Sequence, residues 1–185
     1  PNYNGGTGEG FFPFLTYAEY CFIRADLAAR GFTSDNAKEW YDKGVEASIK
    51  YYNQRAIAAQ VENFVPVTQA EINEYLAEPG VAFDPAKAQE QIAVQAYLEL
   101  FRQPSEAWAW WKRTGYPNTT SVLPWANLTS NGAVMRMPRR ASINILPTTN
   151  LNYQNQQAAI AEMAKDPGFG SGPNDAFGRV RWDMQ

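Results

Sequence analysis

Three tryptophans fall within one short helical stretch, and any fold this chain adopts has to give them neighbours. The segment is Phe101-Arg-Gln-Pro-Ser-Glu-Ala-Trp-Ala-Trp-Trp-Lys-Arg-Thr-Gly-Tyr-Pro117. Pro104 suits a first helical turn, where a missing N–H costs nothing, and Glu106 suits the positive helix start. Gly115 ends the helix, and Tyr116-Pro117 cannot continue it. Each large aromatic buries roughly 150–250 Å², so a helix carrying Trp108, Trp110 and Trp111 needs several partners. Trp108 and Trp110 are two apart and point in different directions. The spacing predicts a core helix wedged between other helices. The alternative is that one tryptophan serves as a platform for a sugar ring.

The segments before it read as helices that need company. Thr16-Tyr-Ala-Glu19 has the form of a capping box and opens a helix from about Tyr17 to Ala29, stopped by Gly31. Its apolar residues cover most of the circumference, so burial on several sides is expected, with Arg24 and Asp26 needing partners. Thr33-Ser-Asp35 offers caps for a second helix, about Asn36 to Tyr52. There Ala37, Tyr41, Gly44 and Ser48 form a narrow stripe that lets another helix approach. Ala25, Ala37, Tyr41 and Gly44 sit at tetratricopeptide offsets, yet one such pair cannot bury its own face. The loop Pro1–Gly10 leads directly into Phe11-Phe-Pro-Phe14, whose rings want cover. Both features suggest a part of a larger domain.

Thr68-Gln-Ala-Glu71 opens a short helix to Ala77, and Asp84-Pro85 starts a longer one through Phe101, with Gln91, Gln95 and Glu99 along one polar stripe. These polar residues are expected to satisfy loop backbone or an arginine; a catalytic Glu99 would need a second acid and a cleft. Beyond Pro117 the chain turns loop-rich. Short strands are expected at Val134–Met137 and Ser142–Leu146, and a last helix at Asn152–Lys165. A Gly/Pro-rich tail follows, with Phe177 and Trp182 as its anchors. Asn118-Thr-Thr and Asn127-Leu-Thr are formal glycosylation sequons.

Charge and composition exclude more than they identify. Residues 1–101 hold 7 Lys/Arg against 14 Asp/Glu and residues 102–185 hold 9 against 5. The basic residues form no run and no helix face, so an acidic helical half packing on a basic loop half explains the asymmetry better than nucleic-acid binding. With no histidine, Ser–His–Asp chemistry and His-ligated zinc are excluded. The single Cys21, in an apolar helical stretch, reads as a small core residue and rules out an internal disulfide. No cofactor, metal or catalytic residue is nominated. No apolar run approaches the roughly 18–20 residues of a membrane span.

Taken together, several blocks resemble the C-terminal part of the SusD/RagB family of nutrient-binding outer-membrane lipoproteins of Bacteroidetes. They are Leu15–Asp26, Ala37–Ser48, Gln91–Gln95, Glu106-Ala-Trp108 with Lys112–Pro117, Pro138-Arg-Arg140 and Arg181-Trp-Asp183. After Arg140 the family's Tyr-Pro and acidic residue are replaced by Leu146-Pro147-Thr-Thr-Asn150, the mark of a divergent branch. The resemblance implies a mainly α fold of tetratricopeptide-like helical pairs, with a loop-rich C-terminal part and at most short strands. It divides the chain into a loop entering from upstream polypeptide (1–15), a helical body (16–117), a loop-rich segment (118–150) and a terminal helix with extended tail (151–185), all within one larger domain. It also implies a lipid-anchored cell-surface protein, its anchor in upstream polypeptide, that binds oligosaccharide, or peptide in some members, without catalysis. The implied partner is a SusC-like TonB-dependent outer-membrane transporter.

Under that resemblance Glu106, Trp108 and Arg113 look structural, a signature in a buried helix. Ligand contact is expected from loop aromatics and an amide: Tyr3, Tyr116, Trp125 and Asn127. Trp125 keeps three readings: sugar contact, partner contact or loop packing. A tetratricopeptide scaffold that binds peptide in a helical groove is the alternative function, and a two-carboxylate glycan-cleaving enzyme is a third.

Overall fold

The computed structural model describes residues 12–180 and 183. It is mainly α, as expected. The helices are α1 (Tyr17–Ala29), α2 (Ala37–Ala58), α3 (Gln69–Ala77), α4 (Ala88–Glu99), α5 (Pro104–Thr114) and α6 (Tyr153–Met163), and the strands β1 (Thr129–Ser130) and β2 (Ala133–Val134) have two residues each. The chain divides into two compact units between Trp125 and Ala126.

The first unit is built on α1, α2 and α4. Thr16 caps α1 by accepting from the Glu19 N–H at 3.0 Å, and Gly31 ends it in the left-handed conformation that glycine adopts freely. Ala18, Phe22 and Ala25 of α1 meet Tyr41 and Val45 of α2 and Ile92, Ala96 and Leu100 at α4 and just after it. Cys21 is also buried. Gly44 lies under the Phe22 ring: a Cβ there would come within 2.7 Å of the phenyl carbon Cε1. The small-residue stripe thus lets α1 lie against α2 with a phenyl ring filling the gap. Tyr41 crosses the core and donates its hydroxyl to the Val81 carbonyl at 2.8 Å.

Two helices differ from expectation. α1 is buried along one broad side only, with Tyr17, Tyr20 and Ile23 exposed. Tyr20 lies edge-on to Trp40 and Arg24 lies over the Trp40 ring at 4.6 Å while pairing with Asp35. The aromatic and cationic side chains cover one another there without a further helix. α2 runs to Ala58, past the expected end at Tyr52, because nothing in Asn53-Gln-Arg-Ala-Ile-Ala58 breaks a helix. It stops where Gln60 takes a positive φ.

The polar stripe of α4 is enclosed. Gln91 accepts from the Asp84 N–H and donates to the Gly80 and Ala82 carbonyls, pinning the preceding loop. Gln95 donates to the Tyr75 hydroxyl of α3 at 2.8 Å. Glu99 accepts from the Thr16 hydroxyl at 2.7 Å. At its ends α4 tightens into 3₁₀ turns, Pro85–Lys87 and Leu100–Arg102.

In the second unit β1 and β2 form a hairpin, Thr129 opposite Val134 and Ser130 opposite Ala133. Asn131 and Gly132 both have positive φ, the turn that matches strand twist. No strand forms at Ser142–Leu146. That segment has no regular structure and is clamped by Gln156 of α6, which accepts from the Leu146 N–H and donates to the Asn144 carbonyl, both at 2.8 Å. Arg139 makes a two-pronged ion pair with Asp183. Arg140 is buried over the Phe169 ring and donates to the Phe169 and Gly172 carbonyls. Among the described residues of this unit the Phe169 ring is the buried one, whereas Phe177 is exposed beneath Arg136. Trp182 lies outside the described residues.

Gly44→Ala should destabilise the folded protein by about 1–3 kcal/mol, the usual cost of overpacking a core that cannot shift. Denaturant midpoints of the full-length protein and the variant measure it; an unchanged midpoint would show that Phe22 has room to move.

Candidate functional site

The tryptophan helix α5 is amphipathic. Pro104 opens it and Gly115, at φ +75°, closes it. Ala107 and Trp110 face the core, while Glu106 and Trp108 are on the exposed side. The expectation of a core helix wedged between other helices is therefore corrected to a helix covered along a single stripe. The residues two apart do part company, but the second direction is open surface rather than another helix. Lys112 lies over the Trp108 ring at 3.9 Å, giving it a cationic cover.

Arg113 holds α5 to α1. It stacks on Trp110 at 4.4 Å and donates to Asp26 Oδ2 at 2.7 Å. Asp26, almost fully buried, also pairs with Arg30 through its other oxygen at 3.0 Å. The tie thus runs from α5 to another helix. Glu106 is instead one of the negative charges that raise the Glu19 carboxyl.

The loop after α5 is folded back by short polar links. Thr114 donates to the Trp110 carbonyl at 2.8 Å and accepts from the Tyr116 N–H. Asn118 accepts from the Thr120 N–H and hydroxyl, both at 2.9 Å, donates to the Gly115 carbonyl, and through its own carbonyl holds the Trp125 N–H. Its amide is built into the turn, so the first sequon is part of the loop's frame.

These links return Trp125 to the helices. Its ring stacks on Trp111 with centroids 5.5 Å apart at 29°, and lies 6.1 Å from Tyr97 of α4. Trp125 is half-buried, and its indole N–H is enclosed without a hydrogen-bond partner. Tyr116, half-buried, stands at the start of the same loop next to a cis peptide bond to Pro117. Asn127 is exposed and belongs to the second unit. Tyr3 lies outside the described residues. The structure therefore groups Trp125 with Trp111 and Tyr97, two helical rings outside the expected set of loop aromatics. No local sequence signal pairs these rings, because their meeting depends on how Asn118 folds the loop back.

A hollow of about 800 Å³ is an open groove between α2, α3 and α4, walled by Ile49, Tyr52, Phe64, Val67, Leu98 and Phe101. Its floor is fixed by Tyr52, whose hydroxyl donates to the Glu99 carbonyl at 2.6 Å. Burial pushes the Tyr52 phenol up to about 12, so it stays a neutral donor. Among the described residues no cluster of three or more acidic or cysteine side chains is placed to hold a metal ion. No described helix is long and apolar enough to cross a membrane.

Comparison with known proteins gives these features a context. Residues 5–142 match the SusD-like family model described as starch-binding and associating with the outer membrane. Among solved structures, a Bacteroidetes AC2a SusD-like protein is 30% identical, with a TM-score of 0.60 over 92% of this chain and 30% of that one. A chitin-binding protein is 28% identical, with a TM-score of 0.62 over 94% of this chain and 34% of its own. A SusD homologue from Bacteroides fragilis is 25% identical, with a TM-score of 0.65 over 92% and 34%. The chain spans about a third of the length of these structures. No curated protein matches it.

A double-mutant cycle on Trp111→Ala and Trp125→Ala should return a coupling of about 0.5–1.5 kcal/mol, the increment that aromatic pairs add beyond burial. Strictly additive losses would mean the two rings are not in stacking contact.

Proposed function

The chain belongs to the SusD-like family of starch-binding proteins that associate with the outer membrane, and on that premise we propose that it is part of a non-catalytic cell-surface receptor for oligosaccharide. In this reading the receptor is held by a lipid anchor in upstream polypeptide and hands its ligand to a SusC-like TonB-dependent transporter. Residues 16–117 supply a tetratricopeptide-like body, and residues 118–150 and 151–185 a loop-rich segment and a terminal helix with tail of the same larger domain. Glu106, Trp108 and Arg113 serve the frame.

The observation that carries the reading is the Trp111–Trp125–Tyr97 group. A sugar site needs a rigid apolar ring face with polar groups close by. Trp125 is backed on one face by Trp111, held in place by the Asn118 turn, and remains partly exposed. Tyr116 and Asn127, near it in sequence, are the further candidate contacts, with Tyr3. The solved relative named a chitin-binding protein supports a glycan as the ligand class. A peptide-binding scaffold draws support from one feature, the apolar groove between α2, α3 and α4.

Affinity electrophoresis of the full-length protein in gels containing soluble starch or soluble chitin oligosaccharide tests the reading. Retardation by at least one, with no release of reducing sugar, is expected. Trp125→Ala should weaken retention about tenfold or more, as loss of a central aromatic contact does, while leaving the circular dichroism unchanged. Unchanged retention in the variant would remove Trp125 from the site. Release of reducing sugar would overturn the non-catalytic reading, and binding of peptide alone would favour the scaffold.

A further inference from the structure

Helix α1 buries two carboxylates seven residues apart, Glu19 and Asp26, and their surroundings are opposite. Asp26 has a guanidinium on each oxygen, from Arg30 and Arg113. Glu19 has none. Seven residues before Arg113 on α5 stands Glu106, so where one end of the α1–α5 junction matches acid with base, the other brings acid towards acid. Glu99 of α4, 1% exposed, adds a second buried carboxylate.

The hydrogen bonds there are already committed. The Thr16 hydroxyl donates its one proton to Glu99 Oε1 and accepts from the Glu19 N–H. One oxygen of each carboxylate, Glu19 Oε2 and Glu99 Oε2, is sealed from water with no donor reaching it. An ionised carboxylate accepts only, and leaving such an oxygen unpaired away from water is costly. The groups on neighbouring elements do not relieve this. On α2, Lys43 and Lys50 line a cleft with Thr16, but each is paired with its own helix's acid, Glu39 or Glu46. Tyr51 of α2 lines the same cleft as a neutral phenol, pushed up by burial. Cys21 on α1 is likewise pushed up by burial, and Arg102, after α4, lines the groove walled by α2, α3 and α4.

We propose that the α1–α4–α5 junction is a proton-binding site: Glu19 is held there as the neutral acid, and its ionisation loosens α1 from the core. The direction of its titration agrees. Burial first, then the charges of Glu106 and Glu99, push the Glu19 carboxyl above its ordinary range, against a hydrogen bond with the Thr16 backbone. A carboxyl raised in the folded state adds stability that is complete below its unfolded value. That stability drains as the pH rises through the folded value. The site makes the helical frame tighter in mild acid than in mild alkali. It is independent of the ligand-binding reading.

The test is the melting temperature of the full-length protein against pH, from about pH 4 to about pH 9, for the parent, Glu19→Gln and Glu106→Gln. Glutamine keeps the shape and cannot ionise. The difference between Glu19→Gln and parent should be small in acid and grow to about 2–4 °C in favour of the variant in alkali. Glu106→Gln, on an exposed position, should move the parent's alkaline loss to lower pH and shrink it. A Glu19→Gln variant less stable than the parent at every pH would overturn the proposal, because Glu19 would then be an ionised, paired carboxylate. Should Glu19→Gln fail to fold, an unchanged profile in Glu106→Gln would overturn it by itself.

Discussion

Everything in the helical unit depends on α1 and α2 being able to lie close together. A glycine at position 44 is the condition for that, since the Phe22 ring occupies the space any side chain would need. With that ring seated, Ala18 and Ala25 on one side and Tyr41 and Val45 on the other define a slot. Ile92, Ala96 and Leu100 fill it. Trp110 and Ala107 close one end. The core is thus set by one absent Cβ and one aromatic ring, with α4 as the element that both helices grip. Close-packed interiors of this kind transmit small volume changes instead of absorbing them.

Polar groups inside that core divide into the satisfied and the strained. Gln91 completes the hydrogen bonds of a loop that has no secondary structure of its own, and Asp26 is neutralised from two directions. Glu19 and Glu99 are the exceptions, each with one oxygen left over. For Glu19, whose carboxyl is pushed above its ordinary range by burial first, staying neutral is cheaper than holding a buried charge. In the second unit the same economy of polar groups replaces a hydrophobic core. The Arg139–Asp183 pair, the Arg140 guanidinium on backbone carbonyls and the Gln156 clamp hold segments with few buried rings.

Much of the helical unit could be read directly from residues. The Thr16 and Thr68 caps, Gly31, Pro104 and Gly115 mark their boundaries through local chemistry, which needs no knowledge of the rest of the chain. The small-residue stripe announced the contact at Gly44. Where α2 ends was not legible, because Asn53 to Ala58 is as content in a helix as out of one, and the stop is a backbone turn at Gln60. The hairpin forms around Asn131-Gly132, a strong turn signal, rather than over the apolar Val134–Met137 where a strand is expected. For the site, Trp125 was visible as a loop aromatic. Its partners Trp111 and Tyr97 were not, since their meeting depends on how Asn118 folds the loop back. The blocks Pro138-Arg-Arg140 and Arg181-Trp-Asp183 are far apart in the sequence, and the Arg139–Asp183 pair joins them.

The proposed function rests on this division of labour. A frame fixed by packing carries a loop fixed by short polar links, and that loop holds Trp125 against Trp111, the kind of rigid placement a precise site would need. The frame must therefore behave as one body. Native-state hydrogen exchange of the full-length protein tests that most directly. Amides in the middle turns of α1, α2 and α4 should exchange with a common, high opening free energy and respond together to denaturant. If α1 instead opened at a free energy well below that of α4, the packing of Phe22 on Gly44 would not be what holds the unit together.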